Sequence, residues 1–235
     1  TGAFRKTPMP VKGILFDLDD TLFDCTDQLT GPARLRASTV FQDAHPHLSL
    51  DDLSQDQARL ADTLGSTGAI EEIGRAHCLP KTLVQQALEA YNRNEVEAIT
   101  PFPDVPETLT KLSEQGLALA LVTTGRPDRQ RRKVHLLHLE SYFSEQQGTL
   151  ILHDYLQTPL KDDAIRQAAQ NLNLPFQHLL AVGDKLDAEI AAANRLGLTT
   201  VRIRHGRQKD RSPQTLEERP DHEIDRISDL LTLLI

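Results

Sequence analysis

The chain has 235 residues, enough for one large domain or for a core domain carrying an insertion, and 39% of them are apolar. Charged residues make up 26% and the formal net charge is −8, which argues against wholesale nucleic-acid binding, since phosphate backbones attract basic surfaces. No apolar run approaches the roughly 18 residues that span a bilayer, and the two cysteines, Cys25 and Cys78, are too few for a disulfide framework and lie in no metal-ligand spacing.

The first ten residues, "TGAFRKTPMP", hold no apolar core of a secretion signal, and from their lack of an initial Met we expect a trimmed start. We expect a cytoplasmic protein, monomer or homodimer, with no membrane and no nucleic acid among its partners.

The run "VKGILF" at 11–16 reads as the first strand. It ends abruptly in Asp17, with Asp19 and Asp20 directly after. Carboxylates repel one another and are costly to bury unless something compensates them. Residues 24–103 show helical spacing, including "LVQQALEAYNRNEVEAI" at 83–99, and predict a helical insertion between the first and second strands. The Pro-rich "TPFPDVP" at 100–106 marks its return. Next, "VPETLTKLSEQG" predicts a helix, with Pro106 in the first turn, Asp104 as its cap and Gly116 as its stop. "LALALV" at 117–122 reads as a strand leading into "TTGR". The basic "RPDRQRRKVH" at 126–135 reads as the solvated face of the helix that follows.

"TLIL" at 149–152 is a weaker strand pattern; "LLAV" at 179–182 and "TTVRI" at 199–203 complete the set. "DDAIRQAAQNLN" and "AEIAAANRLG" read as helices, the second ending at Gly197. The tail "RHGRQKDRSPQTLEERPDHEID" reads as loop, before a short helix in "ISDLLTLLI". The alternation predicts an α/β fold, a Rossmann-like, doubly wound parallel sheet built from 1–23 and 104–235, with the helical insertion at 24–103.

Open parallel sheets bind ligands beyond the carboxyl ends of their strands. In chain order that edge receives Asp17 and Asp19, then Thr123 to Arg126, then Lys161, then Asp184, Asp187 and Glu189 from "GDKLDAE". The acids suggest a hard cation such as Mg²⁺, which prefers oxygen ligands and would relieve their repulsion. The Thr123 hydroxyl and the Lys161 ammonium suggest a bound phosphoryl group. A carboxylate can act as a nucleophile and form an aspartyl phosphate, and a second one two residues away can protonate the leaving oxygen and then activate water. The nine His residues show no ligand spacing; His135, His138 and His153 read as structural or exposed, and "RIRHG" at 202–206 receives no role.

With these residues in order, the sequence resembles the haloacid dehalogenase (HAD) superfamily. The family's D-x-D-x-T appears as "DLDDT", its apolar strand ending in Thr as "LALALVTTG", its Lys as Lys161 in "PLKDDAIRQAA", and its G-D-x-x-x-x-D as "GDKLDAE". The match runs over nearly the whole chain and includes a cap inserted after the first motif, as in the C1-capped branch. The resemblance implies that Asp17 is the nucleophile and a metal ligand, and Asp19 the general acid/base with its backbone carbonyl on the metal. It implies that Thr123 and the backbone N–H of Thr124 bind the phosphoryl oxygens; Gly125 and Arg126, next to that phosphate site in the sequence, are expected to contact substrate. Lys161 would hold nucleophile and phosphoryl group, Asp184 would bind Mg²⁺, and Glu189 would support the metal, with Asp187 as its rival. The cap would close over the site and select the substrate. Three positions depart from the pattern: Glu189 stands where Asp is usual, Thr124 where Asn is frequent, and Asp162 follows Lys161 where Pro is frequent.

The implied activity is a Mg²⁺-dependent phosphatase acting on a small phosphorylated metabolite. A sugar phosphomutase would use the same aspartyl phosphate. A non-catalytic phosphate-binding protein is the alternative of another class. A haloacid dehalogenase needs the first Asp but no metal, so Asp19 and Asp184 argue against it.

Overall fold

The computed structural model describes residues 10–93, 98–154 and 160–234. Six strands occur in chain order: β1 (Gly13–Phe16), β2 (Ala118–Thr124), β3 (Leu150–His153), β4 (Leu179–Gly183), β5 (Thr199–Ile203) and β6 (His222–Ile224). The helices are α1 (Gly31–Ala44), α2 (Leu50–Ala76), α3 (Lys81–Tyr91), α4 (Val105–Glu114), α5 (Pro127–Leu136), α6 (Asp162–Asn171), α7 (Ala191–Leu196) and α8 (Leu230–Leu233). They cluster into two compact units, Thr1–Asp24 with Ala98–Ile235, and Cys25–Glu97.

The first unit is an α/β fold around one parallel sheet in the order β3-β2-β1-β4-β5-β6. Every residue of β1 and β4 is buried, as expected for strands covered on both faces. Strand β1 pairs with β2 (Phe16 level with Leu121) and with β4 (Phe16 level with Val182). The chain order reverses at β1, so this is the switch point where open sheets form ligand crevices. One core gathers Leu15, Val122 and Ala181 from the strands with Ile165, Ala168 and Ala192 from α6 and α7.

Three local expectations change. The tail read as loop contains β6: Ile224 is buried level with Ile203, and the Arg204 N–H donates to the Ile224 carbonyl at 3.0 Å. Asp104 makes no cap to α4 among the described residues; its Oδ2 accepts the Ser228 N–H at 2.8 Å, tying that turn to the C-terminal segment. The helix expected at 188–197 is preceded by a π-helical turn, Leu186–Ile190, before α7 begins. The return segment at 100–104 packs with the sheet unit: the Phe102 N–H donates to the Leu22 carbonyl at 3.0 Å, and its ring lies 4.4 Å from that of His205.

The second unit is helical. Phe41, Leu53, Ile70, Ile73 and Ala87 form its core. Gln57 satisfies a buried polar pocket, donating to Ser38 Oγ at 2.6 Å and to the Arg34 carbonyl at 3.1 Å. Helix α2 starts on a Ser49 cap and breaks at Gly65. Gly74 lets α2 and α3 approach, since a Cβ there would collide with Val84. The part of the expected helix 83–99 at 94–97 lies outside the described residues. Among the described residues no helix is long and apolar enough to cross a membrane.

Candidate active site

The acids after β1 are held by the end of the sheet. The Asp17 N–H donates to the Val182 carbonyl at 2.9 Å, extending the β1–β4 pairing by one residue. The chain then turns, with Thr21 and Leu22 N–H groups both bonded to the Leu18 carbonyl (3.3 and 3.0 Å). Leu18, Leu22 and Phe23 are fully buried and anchor that turn. Asp20 takes a left-handed φ of 58°, and its carboxylate packs on Gly206, itself at φ 63°. A Cβ at Gly206 would stand 2.5 Å from Asp20 Oδ2, so glycine is required twice over, for backbone and for space.

Lys161, just before α6, lies buried between two acids: its Nζ is 2.6 Å from Asp17 Oδ1 and 2.8 Å from Glu189 Oε1. Glu189, on the π turn after β4, uses its other oxygen to accept the Lys185 N–H at 3.2 Å. Asp184 directly follows β4 and is 1% exposed. One carboxylate oxygen each of Asp17, Asp184 and Glu189 lies within 4.8 Å of the others. Asp17 Oδ2 and Asp184 Oδ1 are buried with no hydrogen-bond partner among the described residues. Buried anionic oxygens need compensation. An all-oxygen donor set that includes two residues with an unsatisfied buried oxygen fits a hard divalent cation such as Mg²⁺.

Burial pushes Asp17 up from an ordinary 3.8 to about 6, against the pull of Lys161 and with the help of Glu189. Burial likewise pushes Asp184 well above the usual carboxylate range, despite Lys185. For Glu189 burial acts the same way, but Lys161 and Lys185 outweigh it and hold the carboxyl below its ordinary value. For Lys161 burial opposes the charge, and Asp17 with Glu189 more than restores it. The cluster is therefore short of positive charge on its Asp17–Asp184 side.

Asp19 has different company. Both of its oxygens lie 2.7 Å from Lys133 Nζ, and the side chain is 22% exposed. Burial pushes its pKa up, but the Lys133 ion pair prevails and holds it below the ordinary range. Gln130, one turn before Lys133 on α5, donates to Thr123 Oγ1 at 2.6 Å and to the Thr124 carbonyl at 2.9 Å. The Thr124 hydroxyl bonds His153 Nδ1 at 3.1 Å, and the Gly125 N–H donates to the His153 carbonyl at 3.0 Å.

Carboxylates, lysine and strand-end hydroxyls at one switch point match a known family: a sequence profile of the Haloacid dehalogenase-like hydrolases covers residues 14–203. The chain belongs to that family. Its enzyme class is accordingly that of a hydrolase. Among haloacid dehalogenase-like relatives, a glyceraldehyde 3-phosphate phosphatase of Methanopyrus kandleri is 33% identical over 95% of this chain and 97% of its own. A ribulose-1,5-bisphosphate 5-phosphatase of Halopiger xanaduensis is 29% identical over 94% and 98%. The crystal structure of a predicted phosphoglycolate phosphatase of Haemophilus somnus superposes with a TM-score of 0.67 at 20% identity, covering 99% of this chain and 100% of that one, which shows the shared fold.

The structure brings Asp17, Lys161, Asp184 and Glu189 together, and places Asp19, Thr123, Thr124 and Gly125 at the same edge. Asp187 is not part of the acid cluster; its carboxylate pairs with Arg211 at 2.6 Å. Arg126 also stays outside it, exposed and paired with Asp128 on its own helix at 2.9 Å. The basic run 126–135 is not wholly a solvated face, because Gln130 and Lys133 are buried. The signal for them was helical spacing: they share a face with buried Val134 and Leu137.

Proposed function

We propose that this hydrolase is a Mg²⁺-dependent phosphatase of small phosphate esters working through an aspartyl phosphate. The observation that carries the reading is the Asp17–Lys161–Glu189 cluster with Asp184 against it, at the sheet's switch point. Two of the relatives above are named a glyceraldehyde 3-phosphate phosphatase and a ribulose-1,5-bisphosphate 5-phosphatase, and a small sugar phosphate is our reading here.

In this reading Thr123 Oγ1, the Thr124 N–H and the Lys161 ammonium hold the phosphoryl oxygens. Lys161 also fixes Oδ1 of Asp17 and so aims the carboxylate. Asp17 attacks phosphorus; its new O–P bond forms as the bond to the leaving oxygen breaks. Asp19, ionised beside Lys133, relays the proton of the monoanionic ester to that oxygen, then takes one from the water that cleaves the aspartyl phosphate and passes it to the released phosphate, so its proton balance closes over the cycle. Asp17, Asp184 and Glu189, with the Asp19 carbonyl, would hold Mg²⁺, which supplies electrostatic stabilisation of the phosphoryl charge when bound.

The test is phosphate release from a panel of phosphomonoesters, with Mg²⁺ and with EDTA. Release that needs Mg²⁺ and is strongest on one or two sugar phosphates is expected. Release untouched by EDTA would remove the metal from the reading; no release from any ester by the folded protein would overturn it.

A further inference from the structure

We infer that Lys133 and Gln130 are positioning residues: one buried face of α5 fixes both the acid/base carboxylate and the phosphate-binding hydroxyl. The inference rests on the aspartyl-phosphate reading and deepens it.

The geometry is specific. Lys133 is 4% exposed, a degree of burial that is rare for lysine without a partner, and its Nζ stands 2.7 Å from each oxygen of Asp19. Its ammonium also lies 5.8 Å from the centre of the Phe23 ring, on the turn that carries Asp19. With both oxygens held by one cation, the Asp19 carboxylate is tied to α5 in position and orientation. Gln130, 1% exposed, donates to Thr123 Oγ1 and lies 3.5 Å from Asp19 Oδ2. Filling a lone pair of the Thr123 hydroxyl leaves its O–H free to donate to a phosphoryl oxygen. Thus α5 acts on the chemistry through Asp19 and Thr123, without a bond to Asp17, and sets the spacing between the acid/base group and the phosphate site. Misplacement of such groups by about 1 Å is enough to cost some 10²-fold in rate.

A double-mutant cycle tests this. Lys133→Met should lower kcat about 10–10²-fold while KM changes little, because the acid/base group is misplaced rather than the substrate lost. Asp19→Asn should cost about 10²–10⁴-fold. The double variant should match Asp19→Asn within a factor of about two, since on this inference Lys133 serves catalysis through Asp19. Losses that multiply, or an unchanged kcat in Lys133→Met, would overturn the inference. If Lys133→Met alone fails to fold, the comparison of Asp19→Asn with the double variant decides, because neither leaves a carboxylate without its cation. A wild-type protein that releases no phosphate from any ester sinks this inference together with the phosphatase reading. An active wild type with multiplied losses sinks the inference alone.

Discussion

Asp17 illustrates how a single side chain is poised by conflict. Its burial favours the neutral acid, and Lys161 favours the carboxylate. Removing the charge should therefore cost the fold little. Asp17→Asn is expected to abolish turnover, by roughly 10⁴-fold or more, with a melting temperature at or above that of the wild type; near-normal phosphate release would refute a covalent role. The same balance sets a pH dependence. Asp17 titrates at about 6 in the folded chain against 3.8 ordinarily, so the folded state binds this proton more tightly than the unfolded one. That contribution is full below about pH 4 and is lost as pH rises through about 6. Asp184 acts in the same direction, whereas Asp19 and Glu189, held low, contribute above the ordinary carboxylate range and lose it as pH falls. A cation that must displace protons from Asp17 and Asp184 gains with pH. Mg²⁺ should thus raise the melting temperature clearly at about pH 8 and little at about pH 5; equal shifts at both would count against these ligands.

Among the elements, the strands buried on both faces were legible because their apolar runs had no other use. β1, β2, β4 and β5 lie where "VKGILF", "LALALV", "LLAV" and "TTVRI" predict strands. β6 was hidden because it is three residues long with two exposed, an edge strand without an apolar pattern. The acid positions were legible from their spacing after each strand. The choice between Glu189 and Asp187 was not, because it depends on how the π turn directs each side chain: Glu189 toward Lys161, Asp187 toward Arg211. Lys133 was masked by the cations around it. In the helical unit, the contact of α2 with α3 makes a sharp demand on size. Gly74→Ala gains helix propensity but overpacks Val84, and should destabilise by about 1–3 kcal/mol in urea unfolding. Adding Val84→Ala should recover most of that loss; a Gly74→Ala protein as stable as wild type would mean that α3 shifts freely.

For the whole molecule, the two units each have their own apolar core. Calorimetry is expected to give a total enthalpy larger than the van't Hoff value, with Mg²⁺ raising only the transition of the sheet unit. A single transition moved as one by Mg²⁺ would show that the units melt together. The position of β1 has one more consequence, for synthesis. Of the six strands it leaves the ribosome first, but it becomes the middle of the sheet, and its neighbours are 118–121 and 179–182. Until Val182 has emerged, the Asp17 N–H lacks the carbonyl that seats it. The first of these six strands to be made therefore waits for the fourth, and a chain stopped short of β4 carries the acids after β1 on an open strand edge.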